Sequence, residues 1–103
     1  MRYDRGMGED LVRVRVLAGG RVQGVAYRFY AEKCAARQGV TGWVRNLPDG
    51  RVEVLAEGPA GSVESLLDDL REGPRLARVE TFEVRREPAT GEFSAFRVVY
   101  HAD

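Results

Sequence analysis

The strongest constraint on this chain is a change of hydrophobic period. Along Leu11–Ala18, Val12, Val14 and Val16 alternate with Arg13 and Arg15. A spacing of about two residues is what a strand with one buried face requires. From Val25 to Gln38 the stripe Tyr27, Tyr30, Ala31, Cys34, Ala35 and Gln38 falls at i, i+3, i+4, i+7, the pattern of an amphipathic helix. Gly19-Gly20 is predicted to end the strand, and Arg21-Val22-Gln23-Gly24 to form a tight loop into the helix. Gly39 stands where a left-handed C′ residue is wanted.

The period then changes again. Val40–Arg45 reads as a second strand, Leu47-Pro48-Asp49-Gly50 as a turn, and Arg51–Glu57 as a third strand with Val52, Val54 and Ala56 on one face. Gly58-Pro59-Ala60-Gly61 breaks the pattern, and Ser62 is the expected N-cap of a second helix buried through Val63, Leu66, Leu67 and Leu70 and ended by Gly73-Pro74. Ala77–Arg86 is a fourth strand whose alternation slips between Val79 and Phe82, where a bulge is expected. Glu87–Glu92 is a turn region and Phe93–Tyr100 a final short strand. The order predicts an α+β, ferredoxin-like (βαββαβ) two-layer sandwich, with a mainly antiparallel sheet and an additional short C-terminal strand. Both helices are expected on one face, leaving the other partly wet. Residues 1–10 read as a flexible leader in which Met7 is a second candidate start, 11–100 as a single domain, and 101–103 as a tail.

Composition narrows the function classes. A chain of 103 residues can bury a core without metal or disulfide staples. Its 16 Lys+Arg balance 16 Asp+Glu, so a globally basic nucleic-acid surface is not expected and any anion site must be local. The lone Cys34 excludes an intrachain disulfide and fits a reducing compartment. There is no apolar run of membrane length and no signal-peptide core, so the expected location is cytoplasmic.

One loop carries chemistry. Gly20-Arg21-Val22-Gln23-Gly24-Val25 joins a strand to a helix N-terminus, where glycines let successive N–H groups face one concavity. The helix end adds free N–H groups and a positive dipole. Arg28, in the first turn, supplies a planar, always-charged fork suited to phosphate oxygens. The spacing is neither that of a P-loop nor that of a dinucleotide-binding loop. A plain glycine turn beside a surface arginine accounts for the loop about as well.

The segment Gly20-Arg21-Val22-Gln23-Gly24-Val25-Ala26-Tyr27-Arg28 resembles the first signature of the acylphosphatase family, G-x-V-Q-G-V-x-[FY]-R. Gly42-Trp43-Val44-Arg45-Asn46-Leu47-Pro48-Asp49-Gly50-Arg51-Val52, with Gly58 six residues on, resembles the second. The resemblance implies hydrolysis of the carboxyl-phosphate bond of small acyl phosphates to a carboxylate and inorganic phosphate, by a cytoplasmic monomer needing no metal or cofactor. It implies catalytic roles for Arg28, on the phosphate, and Asn46, on the attacking water. Phosphate binding falls to Gly20, Val22, Gln23, Gly24, Val25 and Arg28, chiefly through the Val22–Val25 backbone. Tyr27 is expected to pack in the core beneath the loop. Implied partners are the acyl phosphate and phosphate or a similar anion as product and inhibitor, with no nucleic acid and no membrane. Asn46, the chain's only asparagine, would otherwise read as a turn former.

Other readings weigh less. A regulatory phosphate-binding module of the same fold without turnover is the alternative, countered by the intact Arg28 and Asn46. An RNA-binding sheet needs stacking aromatics on its first and third strands, where this chain has Arg13, Arg15, Arg51 and Glu53. A metal chaperone needs paired cysteines. Cys34 is expected to be a buried small side chain, Trp43 a core residue, His101 a tail residue without a second ligand, and Glu64, Asp68 and Asp69 a solvated face. Arg78, Arg85 and Arg86 are offset by Glu80, Glu83 and Glu87.

Overall fold

The computed structural model describes residues 10–100. The leader, apart from Asp10, and the tail, with His101, lie outside the described residues. Seven elements follow in order: β1 (Leu11–Arg21), α1 (Tyr27–Gln38), β2 (Thr41–Asn46), β3 (Val52–Pro59), α2 (Ala60–Glu72), β4 (Arg78–Glu87) and β5 (Phe96–Val99). The strands form one sheet in the order β4-β1-β3-β2-β5. Three of its pairings are antiparallel, and β2 pairs with β5 in parallel. This is the ferredoxin-like α+β sandwich that the periods predict.

The alternation of β1 sets the layers. Val14, Val16 and Ala18 stand opposite Ala56, Val54 and Val52 of β3, and Val44 stands opposite Val54. These side chains are buried against Tyr27, Ala31, Cys34 and Ala35 of α1 and Val63, Leu66, Leu67 and Leu70 of α2. The helices are joined by phenol hydroxyls: Tyr27 donates to the Leu70 carbonyl at 2.6 Å and Tyr30 to the Asp69 carbonyl at 2.8 Å. Tyr27 is thus a core residue, as expected, and Gly39 takes the left-handed C-cap (φ 71°).

Four local expectations are corrected. Gly19-Gly20 does not end β1, which runs on to Arg21. A Cβ at Gly20 (φ +115°) would sit 2.3 Å from the Arg78 carbonyl oxygen, so the glycines serve the close approach of β4. Opposite them, Gly19 pairs with Thr81 and Gly20 with Val79, which makes Glu80 the extra residue of a bulge within the predicted interval. Ser62 is not the N-cap. β3 runs straight into α2 through Pro59, whose extended ψ of 144° and fixed φ serve as the cap. Asp69 is not on a solvated face, since its Oδ2 is buried and unpartnered.

The fourth correction is Trp43. Gly42, Val44 and Asn46 share the helix side of β2, so Trp43 and Arg45 point to the opposite face. There the Arg45 guanidinium lies 4.8 Å and that of Arg15 5.9 Å from the indole. Arginine–glutamate pairs occupy the rest of that face. Glu53 accepts from Arg15 at 2.6 Å and Arg45 at 2.8 Å. Arg15 also holds Glu87, keeping that carboxyl below its usual range.

Candidate active site

The site forms where β1 ends, α1 begins and the β2–β3 turn returns. After Arg21 the chain leaves the sheet through Val22, Gln23, Gly24 and Val25. Val22 is buried in the core while Gly24 is exposed, so the loop is anchored in the core by the Val22 side chain and open at its crest. Gly24 takes φ +75° with open space where a Cβ would be. Ala26, the N-cap of α1, has φ 63° and ψ 25° and makes no side-chain cap. Two left-handed residues so close together curl the backbone into a concavity of the kind that gathers N–H groups.

The first turn of α1 contains no acidic residue, and its leading N–H groups have no intrahelical acceptor. Arg28 adds a full positive charge there. Its guanidinium lies over the Tyr100 ring, 4.8 Å from the centroid, in cation–π range. Tyr100 follows Val99, which pairs with Arg45 in the parallel β2–β5 register, so the ring lies at the Asn46 end of β2. The chain therefore brings Arg28 to the end of the sheet where Asn46 sits.

Asn46 is the last residue of β2, opposite Val52. That parity turns its side chain toward the helix layer, the side on which the loop and α1 lie. Its Oδ1 is buried without a hydrogen-bond partner among the described residues. An orphaned buried acceptor costs about 1–3 kcal/mol, so a donor such as a water or a ligand hydroxyl is what the site calls for.

Gln23 was expected to act through its backbone, and its side chain is engaged elsewhere. Its side-chain Nε2 donates to the carbonyls of Leu47 (2.8 Å) and Arg51 (2.9 Å), leaving only its backbone N–H for an anion. Gly20 stands at the β1–β4 contact, upstream of the crest. Two contacts near the site were missed in the sequence: Tyr100 against Arg28, for which nothing local gives a signal, and the Gln23 amide bonds to the turn, for which an amide inside a glycine loop was a hint. Two surface clefts, of about 240 and 260 Å³, lie elsewhere, along Thr41, Glu57 and Phe93 and along Trp43, Phe93 and Arg97. Neither cleft is lined by the loop, Arg28 or Asn46. Among the described residues there is no cluster of three His, Cys, Asp or Glu side chains placed to hold a metal, and no helix is long and apolar enough to cross a membrane.

Comparison with known proteins identifies the family. The family model Acylphosphatase matches residues 14–98. An acylphosphatase of Methylococcus capsulatus is 59% identical over 87 residues, covering 84% of this chain and 95% of the relative. One of Rubrobacter xylanophilus is 56% identical over 86 residues, 84% of this chain and 78% of the relative. The crystal structure of acylphosphatase from Bacillus subtilis superposes with a TM-score of 0.83 at 34% identity, covering 86% of this chain and 99% of that one. With matching signatures, fold and relatives, this chain belongs to the acylphosphatase family.

Proposed function

We propose that the loop and Arg28 bind the phosphoryl group of a small acyl phosphate while Asn46 orients the water that attacks it. The chain is a hydrolase of the acylphosphatase type, and the relatives that it matches over most of their length favour turnover over a silent phosphate-binding module. The observation that carries the residue roles is the buried, unpartnered Oδ1 of Asn46 at the same end of the sheet as Arg28 and the first turn of α1.

The chemistry fits this equipment. The leaving group is a carboxylate whose conjugate acid has a pKa near ~4, so it departs without a proton donor. Phosphoryl transfer proceeds through a loose transition state in which positioning and charge neutralisation do most of the work. Neutralisation comes from Arg28 and the N–H groups of Val22–Val25, preorganised before substrate arrives. Positioning comes from Asn46, whose Oδ1 accepts a hydrogen bond from one O–H of the water, which keeps that proton, and aims the water oxygen at phosphorus. An amide is not a base near neutral pH, so the second proton passes to a phosphoryl oxygen as the P–O bond to water forms and the P–O bond to the acyl group breaks. Products are a carboxylate and inorganic phosphate, and phosphate competes for the same cradle. A metal-independent, cytoplasmic monomer completes the proposal.

The test is hydrolysis of a model aryl acyl phosphate with EDTA present. Arg28→Ala is expected to lose on the order of 10³-fold in kcat/KM and to lose phosphate inhibition. Arg28→Lys is expected to fail nearly as badly, since a point charge cannot reproduce the fork. Full activity in both variants overturns the role of Arg28, and loss of wild-type activity in EDTA overturns metal independence.

A further inference from the structure

Gln23 makes two contacts that the phosphoryl chemistry itself does not need. Its Nε2 hydrogens go to the Leu47 and Arg51 carbonyls at 2.8 and 2.9 Å. Those carbonyls close the neck of the β2–β3 turn, where the Leu47 N–H donates to the Arg51 carbonyl at 2.8 Å and the Gly50 N–H to the Leu47 carbonyl at 3.1 Å. Each carbonyl thus accepts two hydrogen bonds, filling both lone pairs, and the amide spends both of its donors. Asn46 immediately precedes Leu47, and no hydrogen bond fixes its Oδ1. The backbone that carries that oxygen is held by the pairing of Asn46 with Val52 on one side and runs straight into the turn neck on the other, and the Gln23 amide is the side-chain link between that neck and the loop.

We propose that Gln23 is a positioning residue that sets the Asn46 side chain relative to the phosphate loop, so that water and phosphorus are held in register. The proposal rests on the role of Asn46 given above. It predicts an effect on turnover rather than on anion binding, because the loop N–H groups and Arg28 are untouched when the amide is removed. A residue supporting the cradle itself would do the opposite.

The experiment is a double-mutant cycle of Gln23→Met, equal in length but without donors, and Asn46→Ala. Gln23→Met is expected to lower kcat on the order of tenfold to a hundredfold, with inhibition by inorganic phosphate unchanged. Added to Asn46→Ala, it should change kcat by no more than about twofold, the limit set by independent noise in such cycles. Additive losses, unchanged kcat in the single variant, or a parallel loss of phosphate inhibition each overturn the proposal. If Gln23→Met does not fold, Gln23→Glu serves. Its carboxyl donates one hydrogen bond only when protonated, so its kcat relative to wild type should rise as pH falls through the carboxyl range, and a flat ratio contradicts the proposal. Full activity of Asn46→Ala alone would instead overturn the role of Asn46, which separates the two failures.

Discussion

At Ala26 an L-residue is held left-handed at φ 63° and ψ 25°, which costs about 1–2 kcal/mol relative to its right-handed form. The residue lies between the exposed crest at Gly24 and the buried Tyr27, and its twist turns α1 so that Tyr27 faces the core and Arg28 the opening. Glycine relieves the strain and gives back about 0.4–1 kcal/mol through the greater freedom of the unfolded chain. Ala26→Gly is therefore expected to raise unfolding free energy by about 0.5 kcal/mol, and Ala26→Val, branched at Cβ, to lower it by more than about 1 kcal/mol. Urea midpoints of the two variants check the sign. At this scale Arg28 and Asn46 stood out as candidates because they belong to short signatures of fixed spacing. Tyr100 was not, because its place over Arg28 depends on the parallel pairing of β5 with β2, which joins residues far apart in sequence. Gln23 was read as part of the loop, but its side-chain partners lie in another element.

Between elements, the seam of α1 and α2 is the most chemically specific contact. Burial pushes the Tyr30 phenol up to about 12 and Tyr27 higher still, each hydroxyl donating to a carbonyl of α2. In the unfolded chain a phenol ionises near ~10. Above that pH the unfolded state gives up protons that the folded state keeps, so the contribution of these two phenols to stability is level below about 10 and falls as pH rises toward 12. Tyr30→Phe is expected to remove part of this fall, measured as the difference in urea midpoint between pH 9 and pH 11.5. An undiminished difference would mean that Tyr30 does not ionise on unfolding. The elements themselves were legible from period, with Gly39 and the bulge near Glu80 in place. Their junctions were less so. Ser62 looked like a cap because polar residues often serve as one, yet the continuous passage of β3 through Pro59 places the cap earlier. Gly19-Gly20 looked like a strand end because the backbone of β4, which needs the space, is invisible to a local reading. The side of β2 that Trp43 takes was implicit in its parity with Val44.

Across the whole molecule the connection 88–95 runs from β4 at one edge of the sheet to β5 at the other, and Glu57 ties it down. The Glu57 carboxylate, 2% exposed, accepts the N–H groups of Thr90 (2.7 Å) and Gly91 (2.9 Å) and pairs with Arg13 at 3.3 Å. Arg13 reaches on to Thr90 and Glu92 and lies over the Phe93 ring. Removing one partner of a buried pair strands the other, at about 3–5 kcal/mol. Glu57→Gln is expected to lower stability by about 3 kcal/mol and to lose amide-exchange protection at Thr90 and Gly91. At a temperature where the variant stays folded, turnover is expected to remain near wild type, since the network lies on the face away from the helices. Retained protection would mean that the connection is held by other contacts. The sequence indicated that this face was polar, but not that its charges pair across strands and onto a loop. Charge balance in composition has here a local origin.

In the proposed site, anion capture by the loop and Arg28 is separate from water placement by Asn46. The most direct measurement is kcat and the inhibition constant for inorganic phosphate of Asn46→Ala, side by side with wild type. Loss of the water-holding amide is expected to lower kcat about a hundredfold or more while phosphate inhibits as before. A kcat close to wild type, or phosphate inhibition lost in step with turnover, would contradict it.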